Sequence, residues 1–553
     1  MTVLEPRTAP PADYYRENLQ SVVQYILDHH QEALHPEDLD WLASWHSSGQ
    51  ASQRLFVRLL MRKGPWIRTD RLQYAEVKNV EGALAELSQR RLVVLNDDAP
   101  ADQLLGLLTV AEINSVFPVF ALRFAPKRKK EWLEGLLSCY PDRILRERIG
   151  ARIGWVRVTS TQILDRFRLI YFGSTHADLS AFVLRDLGMV RYEDYPLRGM
   201  TGHNPIDAAD GALLDRLLEL NQIERAFSSL PAIDGLAEAC RRRLEAADTE
   251  RTVDRRRSRL LNALGQWHER RDESDRALAC YETSHRHPAR ERRVRLLMRT
   301  GHALEAQALL AEMRSGSWSV EEEIFTERFG NRGARDQVAT DTRILVDPQP
   351  EPKAGTIESR ALRDLADEGA WGVHLENVLP LMLTGLAFWD VIFASVPGAF
   401  THPFQSAPHD LWWDDFAKPR ETLIAQARQQ LQQSPAVADV LLDCYDRKVG
   451  MACDLVHWRA IDRTLLERIV GVLPPTALLA LISTVIRCPG RCRTGFPDLF
   501  VAWQDGSFAF VEVKGPTDQL QPQQRVWLRR LAAEGIPARV LRYRRQSSAA
   551  CGT

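Results

Sequence analysis

The sequence predicts a multidomain protein, mostly α-helical through its N-terminal and central regions and closing on an α/β domain. Three observations carry that expectation. At 553 residues the chain is too long for one hydrophobic core. Apolar residues recur at helical spacing over most of the stretch from Tyr14 to Arg314. Near the C-terminus the pattern changes to two runs rich in β-branched and aromatic residues, Leu499–Trp503 and Phe508–Val513, separated by Gln504-Asp505-Gly506, which is a hairpin signal. With 45% apolar and 26% charged residues the composition is that of an ordinary globular protein. The net charge of −1 removes any argument from bulk basicity, so a contact with nucleic acid has to rest on local cationic patches. Eight cysteines at irregular spacing show no disulfide framework. No run of 18 apolar residues exists, and the opening MTVLEPRTAPPADYY lacks an apolar signal core. The expectation is a cytoplasmic, reduced protein without a membrane span.

Residues 1–75 are expected to form a helical region. Tyr14, Leu19, Val22, Val23, Ile26 and Leu27 recur at helix spacing. In Gln53–Arg71 an apolar stripe of Leu55, Phe56, Leu59 and Leu60 is interleaved with Arg54, Arg58, Arg62, Lys63, Arg68 and Arg71, and Trp66 interrupts the cations. A solvated basic face explains this pattern, and so does DNA contact, in which cations meet phosphate and an exposed aromatic stacks. Within residues 76–140, Gly82–Leu137 is expected to hold two or three short helices. Thr109-x-x-Glu112 is a capping box. Lys127, Arg128, Lys129 and Lys130 open a helix bearing Trp132, Leu133, Leu136 and Leu137. Cations oppose the dipole at a helix start, an arrangement easier to explain if phosphates approach. The pattern LLTVAEI followed by KRKKEWLEGLL resembles a SAP-type DNA-binding module.

Residues 141–329 read as helical repeats. Leu264-Gly265, His268, Ala277, Tyr281 and Pro288 fall close to tetratricopeptide positions, and a degenerate unit follows from Leu296 to Leu310. Such repeats either offer a surface to a protein partner or to DNA, or simply pack. Arg241–Arg243 and Arg255–Arg257 are mixed with Glu245, Glu250 and Asp254, as on a solvated face. Residues 330–356, with Pro348, Pro350 and Pro352, read as a linker.

The last domain spans 357–553. Ala361–Phe393 is strongly apolar, with Glu376 as its odd member, expected on a helix beside Gly372, Val373, Leu379 and Pro380. A carboxylate on an apolar face needs a partner, either a buried arginine or a metal. His374 nearby suits phosphate or a turn cap. Trp412 and Trp413 read as core rather than as a base-stacking wedge, and Asp414 and Asp415 as loop residues. Cys488 and Cys492 lack a second pair for zinc and read as packing. Arg487, Arg491 and Arg493 suit forked contacts to phosphate oxygens. A three-residue hairpin loop ending at Gly506 sets Trp503 against Ser507, and hence Asp498 opposite Glu512, with Lys514 on the same face. A two-residue loop would split the carboxylates between faces. Their grouping is either a solvated ion-pair cluster or a magnesium or manganese site. Gln519–Glu534 is expected as a helix carrying Gln524 and Trp527, and Ile536–Tyr543 as a final strand.

Pro497-Asp498 followed by Glu512-Val513-Lys514 resembles the PD…ExK core of restriction-endonuclease-like nucleases. Adding Gly495, Leu499, Gly515-Pro516 and Gln524-x-x-Trp527 makes the stretch similar to a VRR-type nuclease domain. Arg58–Arg68 (RLLMRKGPWIR) resembles the RLxxRKxxWxR element of the Fanconi-associated nucleases, and the chain as a whole resembles a bacterial-type member of that family. The resemblance implies a metal-dependent nuclease selective for branched or flapped double-stranded DNA. It implies endonucleolytic cutting near 5′ flaps and 5′-to-3′ exonuclease activity, in repair of interstrand crosslinks. In the implied site Glu376, Asp498, Glu512 and the backbone carbonyl of Val513 hold one or two Mg2+ or Mn2+ ions. Lys514 positions the attacking water, and Gln524 reaches that water or the phosphate. DNA contacts are expected from Arg54, Arg58, Arg62, Lys63, Trp66, Arg68, Lys127, Lys129, Lys130, Arg487, Arg491 and Arg493, on a monomeric protein. Two alternatives stay open: a DNA-structure-binding scaffold with a degenerate nuclease fold, and a modification-dependent restriction enzyme.

Overall fold

The computed structural model describes residues 13–62, 64–124, 128–159, 161–172, 175, 191–195, 211–230, 233, 235–246, 250–329, 339–345, 355–396, 399–400, 404–433 and 437–545. The chain divides into two compact units, residues 1–189 with 206–218, and residues 190–205 with 219–553.

In the first unit, α1 (Tyr14–His30), α2 (Pro36–His46), α3 (Gln50–Leu60) and α4 (Val80–Gln89) bury Val22, Ile26, Trp41, Trp45, Leu55, Phe56 and Leu87. The apolar spacing foreseen for α1 and α3 is the buried face of each. Three short strands, β1 (Trp66–Arg68), β2 (Val93–Leu95) and β3 (Trp155–Val158), form an antiparallel sheet with β3 in the centre. β3 comes from the stretch expected to be repeats, so strand pairing joins all three of the expected N-terminal segments. α5 (Ala101–Leu107), α6 (Val110–Val116), α7 (Pro118–Phe124), α8 (Lys129–Cys139) and α9 (Asp142–Gly150) surround Phe117, Phe120, Trp132, Leu136, Leu145 and Trp155. The capping box of α6 forms as its spacing requires: Thr109 N–H donates to Glu112 Oε2 at 2.7 Å, and Thr109 Oγ1 accepts from Glu112 N–H.

The second unit contains helices that pack in succession: α10 (Arg251–Glu269), α11 (Ser274–Thr283), α12 (Ala289–Arg299), α13 (Ala303–Ser315) and α14 (Val320–Arg328). Buried Arg290 pairs with buried Glu322 at 2.6 Å. A five-stranded mixed sheet follows in the order β4 (Thr340–Leu345), β8 (Ala538–Arg545), β7 (Phe508–Lys514), β6 (Leu499–Trp503), β5 (Ala370–His374). The pairs involving β8 are parallel and the others antiparallel.

Both faces of the sheet are covered, which is why β6 and β7 read as continuous apolar runs. Leu499, Val501, Val511 and Val513 face Ala361 and Leu365 of α15 (Ile357–Asp367). Phe500, Ala502 and Phe510 join the larger core with α16 (Val378–Ala387), α17 (Pro475–Arg487) and α18 (Pro522–Ala533). No single helix among the described residues is long and apolar enough to cross a membrane.

Two expectations are corrected here. The segment expected as a linker contains β4, whose Thr-Asp-Thr-Arg-Ile-Leu run is only six residues long and pairs with Val540–Arg545. Its partner lies far along the chain, so nothing local marked it. The apolar stretch expected to hold Glu376 on a helix instead supplies β5, paired with β6, before turning into α16. A short apolar run does not reveal its period.

Candidate active site

The hairpin adopts the register expected from its loop. Leu499 pairs with Val511 and Phe500 with Phe510, and Trp503 N–H donates to Ser507 O at 2.9 Å. Gly506 sits at φ +82°, the left-handed position the loop requires. One step beyond Leu499, Asp498 faces Glu512, and its Oδ2 accepts from Val513 N–H at 2.8 Å.

Glu376 lies in the turn between β5 and α16, exposed and at φ +31°. It is neither helical nor buried, so the argument from an apolar face does not apply to it. The turn is pinned to the hairpin: Leu375 and Glu376 amides both donate to Asp498 O at 3.0 Å, and Asn377 Oδ1 accepts from Phe496 N–H at 3.0 Å. Three hydrogen bonds between the turn and the hairpin strand thus bring Glu376 to Asp498. With His374 these two residues offer ligand atoms within 4.8 Å of one another.

Glu512 is fully buried. Its Oε1 accepts from Lys514 Nζ at 2.7 Å and from Gln524 Nε2. Gln524 is held by the N-terminal cap of α18, its Oε1 accepting from Gln521 N–H at 2.8 Å. Gly495, at φ +90°, lets the chain cross that helix, since a Cβ there would lie 2.7 Å from the Gln523 carbonyl carbon.

The carboxylates are under-neutralised. Burial, and then the Asp498 charge, push Glu512 up to about 8 against the pull of Lys514. Burial also raises Asp498; Val513 N–H and Lys514 oppose it, while Glu358 and Glu376 add to it. Glu512 Oε2 is buried without a hydrogen-bond partner. A buried, unpartnered carboxylate oxygen beside other hard oxygen donors is what a divalent cation satisfies, so these residues fit one. Glu358, at the start of α15, is an acid in this field that the sequence reading missed. No motif marks it, and only the packing of α15 on the sheet brings its charge to Asp498.

The expected DNA contacts divide. Arg68 is buried between Asp70 and Glu112, at 2.6 and 2.7 Å, and ties β1 to α6. It is a fastener, not a phosphate ligand. Arg54 is engaged by Asp13 and Arg58 by Glu76, while Trp66 is half-buried and donates to Asp97. Charge sequence alone could not show these distant carboxylates. Arg62, Lys129 and Lys130 are exposed. Lys63 and Lys127 lie outside the described residues.

In the nuclease-like domain Arg487 donates to Ser483 O, and Arg491 bridges Asp414 and Ser317 O. Arg493 lies over Trp412. Trp412 is half-buried and packs against the domain's core, while Trp413 is half-buried and clasped by Arg251 and Arg255 of α10. Asp415 pairs with Arg251. A hollow of about 280 Å³ lies here, lined by Arg255, Arg286, His287, Arg491, Trp412 and Gln523 among others. Its cations from the repeats were read in sequence as a mixed solvated face or passed over. Cys488 and Cys492 are free thiols with no cluster of metal ligands around them among the described residues.

Residues 13–94 match the family model described as FAN1, HTH domain, and residues 433–544 match the VRR-NUC domain. The chain is 30% identical over 548 residues to a Fanconi-associated nuclease 1 homolog of Pseudomonas aeruginosa, covering 96% of each. It is 24% identical to the Arabidopsis thaliana homolog, covering 97% of this chain and 67% of that one. A crystal structure of paFAN1 bound to DNA with a two-nucleotide 5′ flap and a gap superposes with a TM-score of 0.86 at 29% identity, covering 98% of this chain and all of that one. A second, with a one-nucleotide flap, gives 0.85. A hairpin-borne Asp498, Glu512 and Lys514 within a matching VRR-NUC domain, together with this likeness over nearly the whole length, shows that the chain belongs to the Fanconi-associated nuclease family.

Proposed function

We propose that this nuclease hydrolyses DNA phosphodiester bonds near branch points, with 5′-flapped duplexes as substrates, using Mg2+ or Mn2+. The observation that carries this reading is the buried, unpartnered Glu512 Oε2 beside Asp498, in a cluster where Lys514 faces several carboxylates. Asp498, Glu512, Glu376 and the Val513 carbonyl would hold the ion, which when bound supplies positive charge at the scissile phosphate and at the departing oxygen. Lys514 has three donors. One engages Glu512, and the others are free to orient the attacking water and offset phosphate charge. Attack in line at phosphorus forms a new P–O bond and breaks the bond to the 3′ oxygen, which leaves as a hydroxyl after taking a proton. Gln524 keeps Glu512 turned towards the site. The hollow beside Gln523, where Arg255, Arg286 and Arg491 outnumber Asp414 and Glu321, suits a DNA phosphate adjacent to the cleavage centre. The paFAN1 complexes with 5′-flap DNA support the choice of substrate.

Labelled 5′-flap duplex, incubated with magnesium, manganese or EDTA, tests the proposal. Metal-dependent cutting near the junction, lost in Asp498→Ala while binding persists, is expected. Binding without cutting under every metal would favour the scaffold reading instead, and cutting set by base sequence rather than branching would favour a restriction enzyme.

A further inference from the structure

β7, β8 and β4 run parallel, so their C-terminal ends come together at one edge of the sheet, where open α/β sheets bind their ligands. Lys514 is the last residue of β7, and Arg542 is its register partner on β8. Adjacent strands lie about 4.8 Å apart, and register partners show their side chains on the same face. The alternation agrees. Val511, Val513, Leu541 and Tyr543 turn to the core under α15, so Glu512, Lys514, Val540 and Arg542 share the other face. Arg544 follows two residues on, exposed and on the same face as Arg542.

The two faces of β4 and β8 treat their cations differently. On the α15 face Arg343 pairs with Glu368 at 2.7 Å, and Arg539 lies over Trp503. On the Lys514 face neither Arg542 nor Arg544 has a carboxylate as ion partner among the described residues. Half-buried Arg542 donates from Nη1 to the backbone oxygen of Asp518 at 2.7 Å, while the Asp518 carboxylate accepts from Gly515 N–H at 3.0 Å. A carbonyl fixes a guanidinium without neutralising it. One carbonyl also needs only one donor, and the fork carries five, which suits an anion with several oxygens.

We propose that Arg542 binds the DNA phosphate next to the scissile one on the cleaved strand, with Arg544 adding to the positive field. The neighbour sets the occupant. Lys514 meets the scissile phosphate in the proposed reaction, so a cation one strand further from Asp498 meets the next phosphate along. This rests on the reading of the protein as a DNA nuclease and adds to it a residue that positions the strand to be cut.

The test uses the full chain on 5′-flap duplexes, each carrying one methylphosphonate, an uncharged replacement for a phosphate, at successive positions around the cut. Arg542→Gln keeps a donor for the Asp518 oxygen and loses the charge. It is expected to raise KM for flapped DNA about tenfold and to lower the salt slope by about one. The split should fall on KM, with kcat, manganese affinity and melting temperature held. On the wild type, neutralising the phosphate next to the scissile one should raise KM by a similar factor. On Arg542→Gln the same replacement should add nothing, because both changes remove one contact. Arg542→Lys, which restores the charge, should recover most of the loss. Additive effects of variant and methylphosphonate at every position overturn the proposal, and so does an Arg542→Gln that behaves like the wild type. Lower kcat, metal affinity or melting temperature with an unchanged KM also overturns it, since Arg542 would then act only through the loop after Lys514. If the wild type cuts no flapped DNA, the nuclease reading fails before any variant is measured, and this proposal falls with it.

Discussion

Glu512 shows how one residue sets both the chemistry and the pH response. Its carboxyl is pushed up to about 8, and it ligates a cation only when deprotonated. Metal affinity should therefore fall as pH drops below about 8, by up to tenfold per unit; manganese titration at pH 6.5 and 8.5 checks this. Stability without metal runs the other way. As pH rises past the ordinary carboxylate range the unfolded chain releases this proton, while the folded protein keeps it until about 8. Folded-state stability is thus lost across that window. Glu512→Gln, which has no proton to lose, should melt higher than the wild type at pH 8 without metal, and the difference should vanish near pH 4. Gln524 Nε2 donates to Glu512 Oε1. Gln524→Ala should lower metal affinity or kcat about 10- to 100-fold with KM for DNA unchanged. Arg68 makes the opposite point: buried between two carboxylates, Arg68→Ala should destabilise the first unit by about 3 kcal/mol. DNA affinity, measured well below the melting point, should stay as it was.

At the scale of elements, the hairpin was legible because a strand's period is two and its loop length fixes the register. Asp498 opposite Glu512 follows from three loop residues and Gly506. The positions next to it were not legible. Gly495 is required where the chain crosses Gln523, two residues into α18, a constraint that exists only once that helix has docked. Gly495→Ala would combine a disfavoured φ with a backbone collision. It should cost at least about 2 kcal/mol and reduce cleavage more than flap binding, which thermal melting and a flap assay would separate. Glu376 was identified as a site residue but placed on the wrong kind of element. Its turn is defined by hydrogen bonds to Asp498 and Phe496, more than a hundred residues further along.

At the scale of the whole chain, the repeats contribute cations to a hollow beside the catalytic hairpin. Arg286→Ala should raise KM for flapped DNA and lower its salt slope by about one, leaving metal affinity unchanged; an unaltered KM would remove the hollow from the DNA path. The sequence alone determined the helical and α/β division, the capping box at Thr109 and the family, and it favoured the hairpin register through Gly506. Each depends on local spacing or on contiguous motif residues. Tertiary structure decided the edge strands β4 and β5, the seat of Glu376, the nearness of Glu358 and the fate of the arginines. Those depend on partners brought together from distant parts of the chain. A charge in a sequence carries no sign of its counter-charge, so Arg68 and Lys130 look alike until packing buries one and leaves the other in solvent.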